Sequence, residues 1–135
     1  MTEPKAESAE SLKGKRGFRR LINATRYSWL GIRAGFKNEA AFREECLLAV
    51  ILIPVAILLP VTLLEKVILI NSVLLLLLTE ILNSAIEAVV DRIGMEVHPL
   101  AGRAKDMGSA AVLFALVMGL VAWSFIALPA VLRLF

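Results

Sequence analysis

The stretch CLLAVILIPVAILLPVTLL, Cys46 to Leu64, runs for nineteen residues without a charge. At about 1.5 Å of rise per residue, a helix of that length reaches about 28 Å, close to the roughly 30 Å hydrocarbon core of a bilayer. It predicts one membrane span. Downstream, VILINSVLLLLLTEILNSAIEAVV, Val67 to Val90, is equally apolar apart from Glu80 and Glu87, and Met107 to Leu132 carries no charge at all. The expected architecture is therefore all-α and integral to a membrane, with three transmembrane helices at about 46–64, 67–90 and 107–132.

The composition agrees. Of the 135 residues, 59% are hydrophobic, and the mean hydropathy is +0.77, well above what a soluble domain of this length shows. A soluble helical bundle would need polar surface to cover three such helices, and residues 46–135 do not supply it. Residues 1–16 are polar and charged without an apolar centre, so they form neither a signal peptide nor a span. They read as a disordered cytoplasmic tail ahead of a single membrane domain, 17–135. The lone cysteine, Cys46, excludes an internal disulfide and has no metal-ligand spacing around it.

Positive charge is distributed unevenly. Ten Lys or Arg residues precede the first span, Lys66 falls in the first connection, Arg92, Arg103 and Lys105 in the second, and Arg133 near the end. The positive-inside rule then places the N-terminus and the Asp91–Asp106 loop in the cytoplasm, and the C-terminus and a short turn at Leu64 to Lys66 outside. The net charge of +3 comes with no zinc pattern, recognition helix or aromatic-interleaved basic strand, so anionic lipid is a better partner than nucleic acid.

Before the first span, Phe18, Leu21, Ile22, Thr25, Trp29, Ile32 and Phe36 recur at steps of three and four, with Arg19, Arg20, Arg26, Arg33 and Lys37 on other faces. This predicts an amphipathic basic helix at about 18–37, lying in the plane of the cytoplasmic surface, with Tyr27 and Trp29 at headgroup level. Such a helix either holds a lipid headgroup or serves only as an anchor.

Inside the second predicted span, Glu80, Asn83, Glu87 and Asp91 are spaced three, four and four apart, a single polar stripe on a helix, with Ser84 alongside. Carboxylates at membrane depth cost about 3 kcal/mol each on insertion scales and persist where they have a partner or a task. Glu80 lies about 20 Å into the span and Glu87 near its cytoplasmic boundary. That depth suits Glu80 to take a proton from a lipid hydroxyl, and Glu87 to hold a hard cation. The competing readings of the stripe are hydrogen-bonding glue between helices and a proton pathway.

Glu39, Glu44 and Glu45 stand just before the first span, at a height comparable with Glu87, where carboxylates would complete a Mg²⁺ site. The loop Gly94 to Gly108 adds Glu96, His98, Arg103, Lys105 and Asp106, cations for phosphate and acceptors for a nucleoside edge. No GxxxxGK[ST], GxGxxG or protein-kinase signature occurs, so nucleotide chemistry here needs another arrangement.

The runs EILNSAIEAVVDRIG, Glu80 to Gly94, and HPLAGRAKDMGSAAVL, His98 to Leu113, together with YSWLGIRAGFKNEAAFREE, Tyr27 to Glu45, closely resemble the prokaryotic diacylglycerol kinase family over about residues 17–132. The resemblance implies an inner-membrane homotrimer with active sites shared between subunits. It further implies ATP- and Mg²⁺-dependent phosphorylation of diacylglycerol to phosphatidic acid. By the same resemblance Glu80 is the catalytic base with Asn83 close to it, and Glu39 and Glu87 bind the divalent ions. Arg20, Tyr27, Glu96, His98, Lys105 and Asp106 would surround the nucleotide, and Arg20, Thr25, Trp29, Arg33, Glu45 and Ser109 the lipid. Two alternatives accompany this expectation: an undecaprenol kinase with the same carboxylate set, and a non-enzymatic membrane adaptor or ion-pathway subunit.

Overall fold

The computed structural model describes residues 17–94 and 96–135; the expected tail at 1–16 lies outside them. Every element among the described residues is helical: α1 (Phe18–Asn38), α2 (Ala40–Leu58), α3 (Leu63–Ile93), α4 (Pro99–Ala122), a π-helical turn (Trp123–Ala127) and α5 (Leu128–Leu132). The chain divides into two units, Met1–Ala34 and Gly35–Phe135.

In the first unit, α1 starts after Gly17, whose φ of 76° lies in the left-handed region that glycine adopts freely, and whose carbonyl accepts from Arg20 N–H. Its apolar residues Phe18, Leu21, Ile22, Trp29 and Ile32 are all exposed. The helix boundaries match the expected 18–37 to within a residue.

In the second unit, α3 and α4 are long and apolar enough to cross a membrane. Only 17% and 11% of their most apolar windows are buried within the chain. A core helix of a soluble bundle would be mostly buried; these turn most of their leucines and valines outward. Helix α2 carries Arg43, Glu44 and Glu45 in its first turns, leaving Cys46–Leu58, about 20 Å of rise, as its uncharged part.

The turn between α2 and α3 falls at 59–62, upstream of the expected Leu64 to Lys66. Pro60 has no N–H to continue a helix. Thr62 then starts α3 with a reciprocal capping box: its hydroxyl accepts from Glu65 N–H at 3.3 Å, and the Glu65 carboxylate accepts from Thr62 N–H at 2.8 Å. The Thr62 hydroxyl also donates to that carboxylate, at 2.8 Å. Leu63 and Leu64, assigned to the first span by hydropathy, are the opening residues of the next helix.

A second boundary also differs from expectation. His98 Nδ1 accepts from Leu100 N–H at 3.1 Å and Pro99 occupies the first helical position, so α4 begins at once. Arg103, Lys105 and Asp106 therefore sit on α4 rather than in a loop. The connection shrinks to 94–98.

The apolar core lies at the end of this unit remote from the carboxylates. Ala56, Leu59, Leu69, Ala127 and Ala130 form it, with Val61, Ile70 and Ile126 packed around them. Three alanines let backbones approach closely, the usual means of association where hydrophobic burial contributes little. Above this core, Trp123 Nε1–H donates to Ser72 Oγ at 3.2 Å, and Ser72 Oγ donates to Leu69 O at 2.7 Å. The π-helical turn ends two residues before Pro129; Leu128 N–H reaches back to Trp123 O, one residue further than in an α-helix. Proline crowds the carbonyl four residues before it, and the widened turn relieves that contact.

Candidate active site

Packing of α3 against α2 and α4 buries the middle of the polar stripe: Glu80 is 7% exposed and Asn83 9%. Asn83 Nδ2–H donates to Glu87 Oε1 at 3.2 Å, one helical turn on, while its Oδ1 is buried without a hydrogen-bond partner. Asp91, at the end of the stripe, is exposed.

Glu39 from the α1–α2 junction and Glu45 from α2 come within electrostatic range of Glu80, as Glu87 does from its own helix. Glu39 is the single residue between α1 and α2. Its backbone is extended and its side chain makes no capping hydrogen bond, so the carboxylate is not consumed by the helix it precedes. Phe42 packs on Gly35, where a Cβ would lie 3.2 Å from the ring, and the Arg43 guanidinium donates to the carbonyls of Phe36 and Lys37 at 3.0 and 3.2 Å. These contacts fix the chain on both sides of Glu39.

Among the described residues, no three His, Cys, Asp or Glu side chains stand close enough to form a metal site by themselves. The expected union of Glu39, Glu44, Glu45 and Glu87 into one protein cage does not occur. A pair of carboxylates still fits Mg²⁺, which is usually held by one or two protein carboxylates, with waters and phosphate oxygens completing its octahedron.

Two hollows flank this region, one reaching the end of the stripe at Asp91 and the other meeting Glu45. One, of about 610 Å³, lies where α3 meets α4 and is lined by Asp91, Glu96, His98, Gly102 and Lys105 among others. It gathers three of the residues expected at a nucleotide; Asp106 is not on its lining. Lys105 Nζ pairs with Asp91 Oδ1 at 2.6 Å. That charge-assisted hydrogen bond fixes the ammonium on the wall of the hollow. His98 spends Nδ1 on the α4 cap, leaving Nε2 to a ligand.

The second hollow, about 310 Å³, is almost wholly apolar. It runs among Leu48, Leu52, Val73, Leu76 and Leu120, with Glu45 in its wall and Trp123 and Ser72 also lining it. Glu45 is half-buried, and its Oε2 has no hydrogen-bond partner. Ser109 is exposed on α4. Arg20, Thr25, Tyr27, Trp29 and Arg33 belong to the other unit, all exposed; the Thr25 hydroxyl donates to Leu21 O at 2.9 Å.

Two features of this region had no sequence signal strong enough to find them. The apolar hollow is built from leucines and valines identical in kind to those facing outward. Gly108 on α4 is buried directly against Asn83: a Cβ there would collide with Asn83 Oδ1 and stand 3.3 Å from its Cγ. Nothing in the sequence separates it from Gly102 and Gly119, which meet open space.

The profile of the prokaryotic diacylglycerol kinases matches residues 26–127. The chain belongs to that family. Relatives named diacylglycerol kinase include those of Escherichia coli and Haemophilus influenzae, each 54% identical over 107 residues, 79% of this chain, and 88% and 91% of theirs. The Pseudomonas aeruginosa protein of the same name is 52% identical over 121 residues, 90% of this chain and 98% of its own. The family resemblance expected from the three sequence runs is thus borne out, and the chain is an enzyme of the kinase class. The non-enzymatic alternative falls.

Proposed function

We propose that the chain transfers the γ-phosphoryl group of ATP to the primary hydroxyl of diacylglycerol, giving phosphatidic acid at the cytoplasmic surface of the inner membrane. The observation that carries the reading is the convergence on buried Glu80 of three further carboxylates, Glu39, Glu45 and Glu87, beside an apolar hollow and a Lys105-bearing one. The names of the relatives supply the substrate class.

In this reading Glu80 accepts the hydroxyl proton as the lipid oxygen attacks the γ-phosphorus in line, and the bond to the bridging oxygen of ADP breaks. Asn83, close to Glu80, orients Glu87. Glu39 and Glu87 hold Mg²⁺, which when bound offsets phosphate charge. Lys105 adds a second positive charge, and Glu96, His98 and Asp106 with Arg20 and Tyr27 embrace the nucleotide. The lipid lies against Thr25, Trp29, Arg33, Glu45 and Ser109. No Ser, Cys or His stands as a phosphate acceptor beside a base, so transfer is direct.

The protein is a three-span homotrimer with shared active sites in this proposal, α1 lying on the cytoplasmic surface, the N-terminus inside and the C-terminus periplasmic. The helix α2 completes the three spans with the apolar turn that follows it. The test is transfer of labelled γ-phosphate by purified protein in mixed micelles, with diacylglycerol and undecaprenol offered side by side. Faster labelling of diacylglycerol is expected; faster labelling of undecaprenol would reassign the substrate, and labelling of neither would overturn the reading.

A further inference from the structure

We propose that Gly108 is a positioning residue: the notch it leaves in α4 seats the Asn83 carboxamide so that its amide N–H is directed to Glu87. This rests on the reading of Glu87 as an Mg²⁺ ligand. Gly108 is buried where α4 crosses α3, and the space its missing Cβ vacates is taken by Asn83 Oδ1. The contact reaches the Asn83 backbone, whose Cα would lie 3.7 Å from a Cβ at 108.

The carboxamide has two ends with different surroundings. Its oxygen is enclosed in the notch without a hydrogen-bond partner, and its nitrogen donates to Glu87 Oε1 at 3.2 Å. A buried acceptor without a partner carries a desolvation cost, so it is kept there by packing rather than by bonding. The packing that keeps it is α4 itself. A methyl at 108 leaves the amide no room, and in moving away it surrenders the hydrogen bond that holds Glu87 in one rotamer. Gly102 and Gly119 on the same helix have nothing within 4 Å of an added Cβ, so of these three glycines Gly108 alone is fitted against a neighbouring helix.

The experiment titrates Mg²⁺ against initial rate in Gly108→Ala, Glu87→Gln and Asn83→Ala, and in the Asn83→Ala, Gly108→Ala double variant. Gly108→Ala should raise the Mg²⁺ concentration for half-maximal rate about tenfold, the factor that one hydrogen bond to a charged group commonly carries, with the lipid KM unmoved. The double variant should require no more Mg²⁺ than Asn83→Ala alone, because the amide is already gone. Should Gly108→Ala prove unstable, the double variant should regain the melting temperature it loses. An unmoved Mg²⁺ requirement in Gly108→Ala while Glu87→Gln raises it, or additive effects in the double variant, would overturn the role of Gly108. An unmoved requirement in Glu87→Gln would instead overturn the metal assignment beneath it.

Discussion

Lys105 Nζ on α4 and Asp91 Oδ1 on α3 are 2.6 Å apart, and this pair ties the two helices together on the wall of the 610 Å³ hollow. The carboxylate holds the ammonium on that wall, which the proposed function assigns to the nucleotide. Asp91→Asn should therefore raise the KM for ATP by about tenfold, the weight of one charge-assisted hydrogen bond, with a smaller change in kcat. Steady-state kinetics with varied ATP checks this, and an unchanged KM would mean that Lys105 finds its position without Asp91.

Glu80→Gln keeps the shape of the side chain and removes its capacity to take a proton. Turnover should fall by roughly 10²- to 10⁴-fold, the range usual for loss of a general base, while the assembled size measured by light scattering stays the same. Full activity would remove Glu80 from the mechanism.

Glu39→Gln and Glu87→Gln each take one charged oxygen from the proposed ion. Both should shift the Mg²⁺ titration to higher concentration without altering the lipid KM. If neither moves it, the ion is held elsewhere.

Trp123→Phe deletes the N–H that donates to Ser72 and leaves the ring's packing largely in place. A loss of about 1 kcal/mol is expected, read as a small fall in melting temperature in detergent.

Much of this molecule was readable from spacing. The stripe Glu80, Asn83, Glu87 and Asp91 was legible because four polar residues at helical intervals stand out against an apolar background. The α1 boundaries were legible for the complementary reason. Hydropathy misplaced the first turn because Leu63 and Leu64 are as apolar as the residues before Pro60; the capping box at Thr62 and Glu65, a local hydrogen-bonding pattern, sets the boundary. The second connection was read too long because the charges of Arg103, Lys105 and Asp106 end the apolar run at Met107, whereas His98 and Pro99 begin a helix that carries those charges. Convergence of Glu39 and Glu45 on Glu80, and the fit of Gly108 to Asn83, depend on which faces of separate helices meet. That information is distributed over many apolar residues and has no local mark.

The widened turn at Trp123–Ala127 divides the last span azimuthally. One additional residue per turn advances the helix by about 100° relative to uninterrupted winding. The segment carrying Lys105 and Gly108 and the segment carrying Ala127 and Ala130 are thus clocked independently, each facing its own set of neighbours. Shortening the π-turn by one residue would swing Ala127 and Ala130 out of the remote core while leaving the carboxylate end in register, so chemistry and anchorage are adjustable separately along a single rod.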